Sequence, residues 1–506
     1  MSVGFIAQGG TSIQLNCIMG NKRHRINYPR LAYTIGALLL LESLFMLAPM
    51  CVGLFYGESD WRIFALSAGI TALFGFIFTH IRGTSTKMGK REGFLLTTLV
   101  WIVFSIFGMI PFIAGTPRAD VSSAFFEAIS AFTTTGATAI GGDNSHFSHA
   151  IIFWQAMMQW LGGMGIILFT LAIIPALNTS GGMQMFNAET TGITHDKLMP
   201  RISQTAKALY GIYLVLTIGA AVLLRLTPMD WFNAVCLAFG TMSTGGFSAD
   251  ASGAIFNSDY VMCIVGLFML MGGINFAVIF RLVTGRWRQI RIDEVLRMYF
   301  IAIIGFSIFF IVAKFVATDD MTLRSLLIDP VFMVISCITS TGYLVPGFQI
   351  WQPYVLSLMV LMMISGGCAG STSGGAKIDR MVYLGKFIKN ELYHVLHPNS
   401  VVSVTVNGRV VSHELLSKVV AFLCLFIMVI VAGGTVLSFM GISPFEAYVS
   451  SLSCMCNTGF ETSLTGYGTS FAAMPAAAKW VLASIMLTGR LEIYTILVLF
   501  TPNFWR

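Results

Sequence analysis

Four short segments with the same chemistry recur along the chain at intervals of roughly 100 residues. In each segment an apolar run ends in a hydroxyl or amide residue that is followed by Thr-Gly. When loops of this kind surround one axis, their main-chain carbonyl oxygens can replace the water shell of a dehydrated cation. The segments therefore predict a ring of carbonyl oxygens that binds a cation. Their residues are Thr134, Thr135, Gly136, Ser243, Thr244, Gly245, Ser340, Thr341, Gly342, Asn457, Thr458 and Gly459.

The glycine of each segment has a physical reason to be there. Because glycine lacks a Cβ, it can adopt a positive φ and turn its carbonyl inward beside a neighbouring strand. The alternative is that glycine is common in transmembrane helices, where it allows close packing. One Thr-Gly pair would favour that alternative, whereas four pairs in matching context favour an ion filter.

A short apolar run with helical spacing precedes each segment. Each run is about 10 to 13 residues long, which is too short to cross a bilayer but long enough to enter it and return. The negative end of such a helix dipole would then face the membrane centre and favour a cation there. The runs lie at residues 124–129, 231–235, 331–335 and 445–449.

The composition places the chain in a lipid bilayer. Of its 506 residues 56% are hydrophobic and 10% are charged, and the mean hydropathy is +0.79. Soluble domains carry about 25% charged residues. The first apolar run is long enough to span the bilayer, so we expect a transmembrane helix rather than a cleaved signal peptide. Ten spans are predicted, at 31–55, 62–81, 93–115, 151–175, 208–226, 259–282, 298–316, 354–382, 418–440 and 479–500.

Basic residues indicate how these spans are oriented. With ten spans, every basic connection falls on one face, and Lys and Arg concentrate on the cytoplasmic face of membrane proteins. Both termini are therefore predicted to be cytoplasmic. The net charge of +7 is explained by this orientation, and no nucleic-acid partner is expected. The basic residues are Lys22, Arg23, Arg25, Arg30, Arg82, Lys87, Lys90, Arg91, Arg281, Arg286, Arg288, Arg291, Arg297, Lys386, Lys389 and Arg409.

The predicted fold is an all-α membrane protein with ten transmembrane helices. Two N-terminal helices precede four pseudo-repeats around one pore, and each repeat contains a helix, a re-entrant pore helix, a filter loop and a second helix. The predicted units are 1–91 for the N-terminal cytoplasmic segment and the two extra helices, 92–177 for pore repeat 1, 207–285 for repeat 2, 297–385 for repeat 3 with a gate loop, 386–416 for a cytoplasmic hairpin connector and 417–506 for repeat 4.

With this organisation the chain resembles the membrane subunit of bacterial Trk-type potassium uptake systems (TrkH-like), within the Trk, Ktr and HKT superfamily. The resemblance runs from about residue 31 to the end of the sequence and includes four motifs. It implies one potassium pore per chain, and the intact Gly136 implies potassium selectivity. The motifs are Thr133–Thr138, Gly366–Thr372, Gly489–Glu492 and Pro502–Trp505.

The resemblance also implies partners. Members of the family are similar in forming homodimers and in binding a cytoplasmic TrkA-like ring that carries a nucleotide, ATP/ADP or NAD. This chain itself is expected to bind no cofactor and to hold K⁺ only as the transported ion. We therefore expect a multi-pass protein of the bacterial inner membrane.

A glycine-rich segment interrupts the long apolar span of the third repeat. Each glycine costs about 1 kcal/mol relative to alanine in a helix interior, so this density predicts a broken helix. Small-residue helix packing is the alternative. A loop at this depth would lie below the filter, and the family has an intramembrane gate loop at the matching place, so we expect a gate here. Its residues are Gly366, Gly367, Cys368, Ala369, Gly370, Ser371, Thr372, Ser373, Gly374 and Gly375.

Arg490 lies near the middle of the last predicted span, where its side chain cannot easily reach either interface. One interpretation is a structural pair with Glu492 or with carbonyls of the broken helix. The other, supported by the corresponding arginine of the family, is a positive charge below the filter that restrains cation flow beside the gate loop.

A cytoplasmic β-hairpin is predicted between the third and fourth repeats. Valine-rich runs at 401–406 and 410–411 flank Asn407-Gly408, a sequence typical of a type I′ turn. The hairpin is either a docking surface for a regulatory partner or an incidental connector.

Two other functional classes agree less well with the sequence. A sodium- or proton-coupled alternating-access symporter also uses broken helices and internal repeats, but those repeats usually have inverted topology, whereas all four here share one orientation. An enzyme is disfavoured, since Gly162-Gly163-Met164-Gly165 lies within an apolar span and His413-Glu414 lacks a second histidine. The nine cysteines have neither CxxC pairs nor His partners, so no transition-metal site is expected.

Overall fold

Apart from one short β-hairpin, the regular secondary structure of the described chain is helical. The structure is a computed structural model, and it describes residues 26–81, 89–140, 147–165, 202–248, 254–317, 322–345, 354–400, 402–461 and 470–505. Several predictions therefore lie outside the described residues. These are the second half of the predicted span 151–175 and the basic residues Lys22, Arg23, Arg25, Arg82 and Lys87.

The helices follow one another with short connections. Helices α1 to α7 are Tyr28–Phe45, Leu47–Tyr56, Trp61–Thr79, Lys90–Gly108, Ile110–Ala114, Val121–Phe132 and His149–Gly163. Helices α8 to α14 are Ile202–Arg225, Trp231–Met242, Asp259–Gly273, Phe276–Val283, Trp287–Arg291, Glu294–Ala317 and Asp329–Ile338. Helices α15 to α21 are Tyr354–Ser365, Ile378–Leu396, His413–Phe439, Pro444–Met455, Ala476–Arg490, Glu492–Leu497 and Pro502–Trp505.

Several of these helices are long and apolar enough to cross a membrane. In the described part of the chain there are six, namely Tyr28–Tyr56, Trp61–Thr79, Arg91–Ala114, Gln204–Arg225, Glu294–Val316 and His413–Phe439. Two bent helix pairs raise the number to eight if each pair is one span. The predicted all-α membrane class is confirmed, whereas the number of ten spans stays a prediction.

Two predicted spans are not straight helices, which corrects the sequence analysis. The span predicted at 259–282 bends by 102° between α10 and α11, and the one at 479–500 bends by 111° between α19 and residues 492–500. At the first bend the carbonyl oxygens of Gly272 and Gly273 accept hydrogen bonds from the amides of Thr372 and Cys368. Because these partners satisfy the freed main-chain groups, the break is tolerated at membrane depth.

Large apolar side chains cover the outside of the bundle. Phe55, Val316 and Phe439 are 84%, 80% and 88% exposed, and many Leu, Ile and Val side chains of the long helices are exposed as well. In water such a surface would favour aggregation, whereas in a bilayer it faces lipid tails. The exposed apolar belt therefore agrees with the membrane assignment.

Four short helices, α6, α9, α14 and α18, occur where the short apolar runs were predicted. They contain 12, 12, 10 and 12 residues, too few to cross a bilayer. Asp120 accepts hydrogen bonds from the amides of Ser122 and Ser123 and so caps the N-terminus of α6. Each of the four helices ends directly before one of the predicted Thr-Gly segments.

The predicted hairpin is present between α16 and α17. Its strands are β1, Thr405–Val406, and β2, Arg409–Val410, which pair antiparallel. Asn407 and Gly408 have φ values of 51° and 73°, as a type I′ turn requires. The Asn407 side chain accepts a 2.7 Å hydrogen bond from the amide of Glu294, so the turn also caps α13.

Candidate ion pathway

The four short helices end with the same cap. The residue after the cap position has φ between 52° and 55°, a left-handed conformation that costs a non-glycine residue about 1–2 kcal/mol. The next amide bonds to the carbonyl five residues earlier, as in Schellman caps. Such strain persists only where the surrounding structure fixes it. The left-handed residues are Thr134, Thr244, Ser340 and Asn457.

The chain after these caps forms a closed ring. Two residues beyond each left-handed residue stands a glycine with φ between 67° and 84°, and a Cβ on that glycine would overlap a carbonyl oxygen of the next repeat. The overlapping pairs are Gly136 with Gly245, Gly246 with Thr341, Gly342 with Thr458, and Gly459 with Thr135. The contacts thus pass through all four repeats in order and return to the first.

In the second repeat the ring glycine is Gly246, one residue later than the sequence alignment placed it. Counted from the helix end, Gly245 takes the position that Thr135 has in the first repeat, and Gly246 takes the position of Gly136. Either glycine of the Gly245-Gly246 doublet can be aligned with Gly136, and the Thr-Gly pattern favours Gly245. The end of α9 and the positive φ of Gly246 show that Gly246 is the equivalent residue.

Different side chains support the four ring segments, residues 134–139, 244–248, 340–345 and 457–461, which are called the strands of the ring below. Gln159 of α7, which is fully buried, donates a 2.6 Å hydrogen bond to the Gly245 carbonyl and accepts one from the Phe247 amide. In the third repeat Ser336 donates to the Tyr343 carbonyl at 2.7 Å. The sequence analysis missed Gln159, although an isolated amide within an apolar span is itself a signal of an internal partner.

The predicted helix break is present between α15 and α16, since the intervening residues are not helical. Gly366, Gly370 and Gly375 have φ values of 64°, 75° and 79°, which a side chain would disfavour. The sequence therefore gave the correct reason for this interruption, namely a glycine density that a continuous helix does not tolerate.

This loop lies directly against the residues that follow the short helices. The Thr372 and Thr244 hydroxyls are 3.2 Å apart, and the Gly374 amide donates to the Ser340 hydroxyl at 2.6 Å. A Cβ on Gly374 would overlap the carbonyl oxygen of Cys456. The loop thus contacts the second, third and fourth strands at their helical end.

Arg490 connects the loop to the first repeat. Its guanidinium donates to the carbonyl of Thr372 at 2.9 Å and to those of Gly162 and Gly163 at 2.6 and 2.7 Å. The residue is the last of α19, at the 111° bend, and not in the middle of a straight span as predicted. The structural interpretation in which Arg490 contacts carbonyls of the broken helix therefore agrees with its bond to Thr372.

A cavity of about 110 Å³ lies beside the loop and Arg490. Gly374 and Asn457 line it, together with the charged residues Lys377, Arg490 and Glu492. Glu492 also forms a 2.7 Å ion pair with Arg380. Among the residues that the structure describes, no group of three His, Cys, Asp or Glu side chains could hold a metal ion.

Comparison with known proteins gives one consistent result. The model of the TrkH family, described as a cation transport protein, matches residues 62–506. Among solved structures, the potassium transporter TrkH from Vibrio parahaemolyticus matches with a TM-score of 0.83 and 31% identity, over 95% of this chain and 100% of that chain.

Curated relatives match along nearly their whole length. The Trk system potassium uptake protein TrkH of Escherichia coli strain K12 is 35% identical over 481 residues, which are 93% of this chain and 98% of that protein. The protein TrkG of the same strain is 30% identical over 93% of this chain and 97% of its own length.

The ring geometry predicts different costs for alanine at the two adjacent glycines of the second repeat. In Gly246→Ala the new Cβ meets the backbone carbonyl of Thr341 at a positive φ, so we expect a loss of about 2 kcal/mol. In Gly245→Ala it meets only the side chain of Gln159, which can shift, and we expect about 1 kcal/mol. Thermal unfolding of the two purified variants measures the difference in stability loss. If Gly245→Ala costs as much as Gly246→Ala or more, Gly246 is not the ring glycine of the second repeat.

Proposed function

The chain belongs to the TrkH family of cation transport proteins, and from this premise we propose that it carries potassium into the cell through one pore along the axis of the four-strand ring. Members of the family are ion transporters, so the chain is a membrane transporter and not an enzyme. The names of the curated relatives, potassium uptake proteins, support potassium as the ion. The closed series of contacts between the ring glycines and the carbonyl oxygens of the next repeat is the observation that carries the proposal.

The chemistry of the proposed filter is that of backbone carbonyl dipoles. A ring of such oxygens replaces the water shell of a monovalent cation without any ionised side chain at the axis. The C-terminal ends of α6, α9, α14 and α18 lead directly into the ring and add the negative ends of four helix dipoles. The proposed filter consists of the predicted Thr-Gly segments, with Gly246 added in the second repeat.

The loop of residues 366–375 is the proposed gate, and Arg490 holds it. Support comes from its hydroxyl contacts with Thr244 and Ser340, which place it against one end of the ring. Arg490 adds a positive charge beside the same cavity, where it would repel a passing cation. The gate is closed when the loop occupies its present position and opens when the loop leaves the strands.

We extend the proposal to the surroundings of the chain. The relatives' names refer to a Trk system, which supports further components. We propose a second copy of the chain and a cytoplasmic nucleotide-binding ring as these components, with both termini on the cytoplasmic side of a bacterial inner membrane. The hairpin is the proposed docking surface, since Arg409 and Val410 of its strand β2 are exposed.

Potassium uptake by the purified chain in liposomes tests the proposal. We expect potassium and rubidium to enter along their gradients and sodium to be excluded, and single-channel currents in a planar bilayer to accompany the flux. Uptake that requires a sodium or proton gradient, without channel currents, would instead support the alternating-access symporter.

A matched pair of variants ties this selectivity to the ring. We expect Gly136→Ser to lose discrimination against sodium, because its side chain would displace the Gly245 carbonyl. The same substitution at Gly211, where no atom lies within 4 Å of the added Cβ, should leave selectivity unchanged.

Alanine in the loop should open the proposed gate. The double variant Gly370→Ala/Gly374→Ala pushes the loop away from Asn275 and from the Cys456 carbonyl, so we expect a higher basal cation flux. Gly385→Ala serves as the control because its Cβ would have open space in α16. Unchanged flux and unchanged open probability in the double variant contradict a gating role for the loop.

Removing the Arg490 side chain should have the same direction of effect. Arg490→Ala loses the charged hydrogen bonds to Thr372, Gly162 and Gly163, and we expect the basal leak of liposomes to rise at least about tenfold. Arg490→Lys keeps the positive charge but lacks the planar set of donors of a guanidinium. Its leak therefore distinguishes repulsion of the cation by the charge from retention of the loop by hydrogen bonds. A well-folded Arg490→Ala variant with the wild-type leak argues against both roles.

A further inference from the structure

A fully buried carboxylate lies in the first short helix and belongs neither to the ring nor to the loop at 366–375. Glu127 of α6 is 0% exposed. Its Oε2 accepts hydrogen bonds from the Ala139 amide at 2.9 Å and from the Thr138 hydroxyl at 3.2 Å. Its Oε1 accepts a 2.9 Å hydrogen bond from the side-chain amide of Gln155 in α7.

These partners identify the form of Glu127 that the site is built for. All three groups donate a proton to the carboxyl oxygens, and none of them accepts one from it. Burial of an ionised carboxylate is costly unless donors replace the lost water, and hydrogen bonds to an ionised acceptor are stronger than neutral ones. The three donors therefore offset part of the cost of burying a carboxylate anion at Glu127.

The carboxylate fixes one strand of the ring. Thr138 and Ala139 follow Gly136 by two and three residues, so Glu127 holds the chain that leaves the first filter segment. Gln155 in turn anchors the carboxylate to α7, the helix that also supplies Gln159 to the second strand. Helix α7 thus supports two adjacent strands, the first through Gln155 and Glu127 and the second through Gln159.

The other repeats have no carboxylate at this position. Counted back from the helix ends, the equivalents of Glu127 are Leu237, Met333 and Ser450. At this helix position only the first repeat carries a carboxylate. A fixed anion buried beside a cation path attracts the cation more strongly than one in water would, because the surrounding dielectric is low.

We propose that Glu127 is a positioning residue of the pore, which sets potassium affinity and selectivity by holding residues 136–139 and by supplying a fixed negative charge behind them. This inference rests on the proposed potassium pore and deepens it. It assigns a function to a side chain that lies behind the strand, whereas the filter chemistry itself uses only main-chain oxygens.

Glu127→Gln is the decisive substitution because it keeps the shape and removes the charge. The new amide nitrogen must face either the Ala139 amide, which can only donate, or Gln155, whose side-chain amide would have to turn its oxygen inward. In both cases the three donors lose the anion that they surround. We expect the KM for potassium uptake into liposomes to rise about tenfold and the potassium-to-sodium ratio to fall, with Vmax within about twofold of wild type.

Two further variants separate positioning from general stability. Glu127→Gln/Gln155→Glu moves the carboxylate to the neighbouring helix and keeps a donor–acceptor pair, so we expect it to recover part of the affinity and selectivity. Glu42→Gln is the matched control, because Glu42 is equally buried in α1 but neither of its oxygens has a hydrogen-bond partner among the described residues. Its KM and selectivity should equal those of wild type.

Each outcome decides the inference. It is overturned if Glu127→Gln transports potassium with wild-type KM and selectivity, or if Glu42→Gln changes both parameters as strongly. Wild-type protein that conducts no potassium overturns the proposed function together with this inference. If Glu127→Gln does not fold, the double variant decides. If the carboxylate is purely structural, the double variant folds and its selectivity does not depend on which of the two residues carries the charge.

Discussion

The structure depends on one steric constraint, which is that four strands approach one another until a main-chain oxygen occupies the space of a missing Cβ. The contact between Gly136 and the Gly245 carbonyl is repeated in each following pair until Gly459 meets Thr135. A side chain at any of the four glycines would overlap a carbonyl oxygen and force a strand to shift, which would open the ring. The constraint thus fixes the four strands relative to one another, and it does so with backbone atoms alone.

The rest of the described chain supplies what this constraint requires. The short helices end in strained caps, and the strain at Thr134 and its three equivalents is held by neighbouring groups rather than by local preference. Those neighbours differ between repeats, with Gln159 behind the second strand and Ser336 behind the third. A single chain can therefore keep a fourfold arrangement of backbone while each quarter is supported by its own side chains.

The sequence predicted what depends on local pattern. Hydropathy predicted the helical membrane class, the glycine density at 366–375 predicted the broken helix, and Asn407-Gly408 predicted the hairpin turn. It missed what depends on where neighbouring elements press. The bend before Glu492 follows no local signal of comparable strength, and the ring position of Gly246 depends on the end of α9 rather than on the Thr-Gly pattern.

The contacts of the loop at 366–375 have the strength that a movable element needs. Its bonds to the strands are hydroxyl and amide hydrogen bonds through Thr372 and Gly374, each with a net worth of about 0.5–1.5 kcal/mol. Those from Arg490 are charge-assisted and stronger. The contacts with the strands alone amount to a few kcal/mol, within the range of energy gaps between states that proteins exchange. These polar contacts can be exchanged for water, whereas the bonds of the Cys368 and Thr372 amides to the Gly273 and Gly272 carbonyls hold the loop to the bend between α10 and α11.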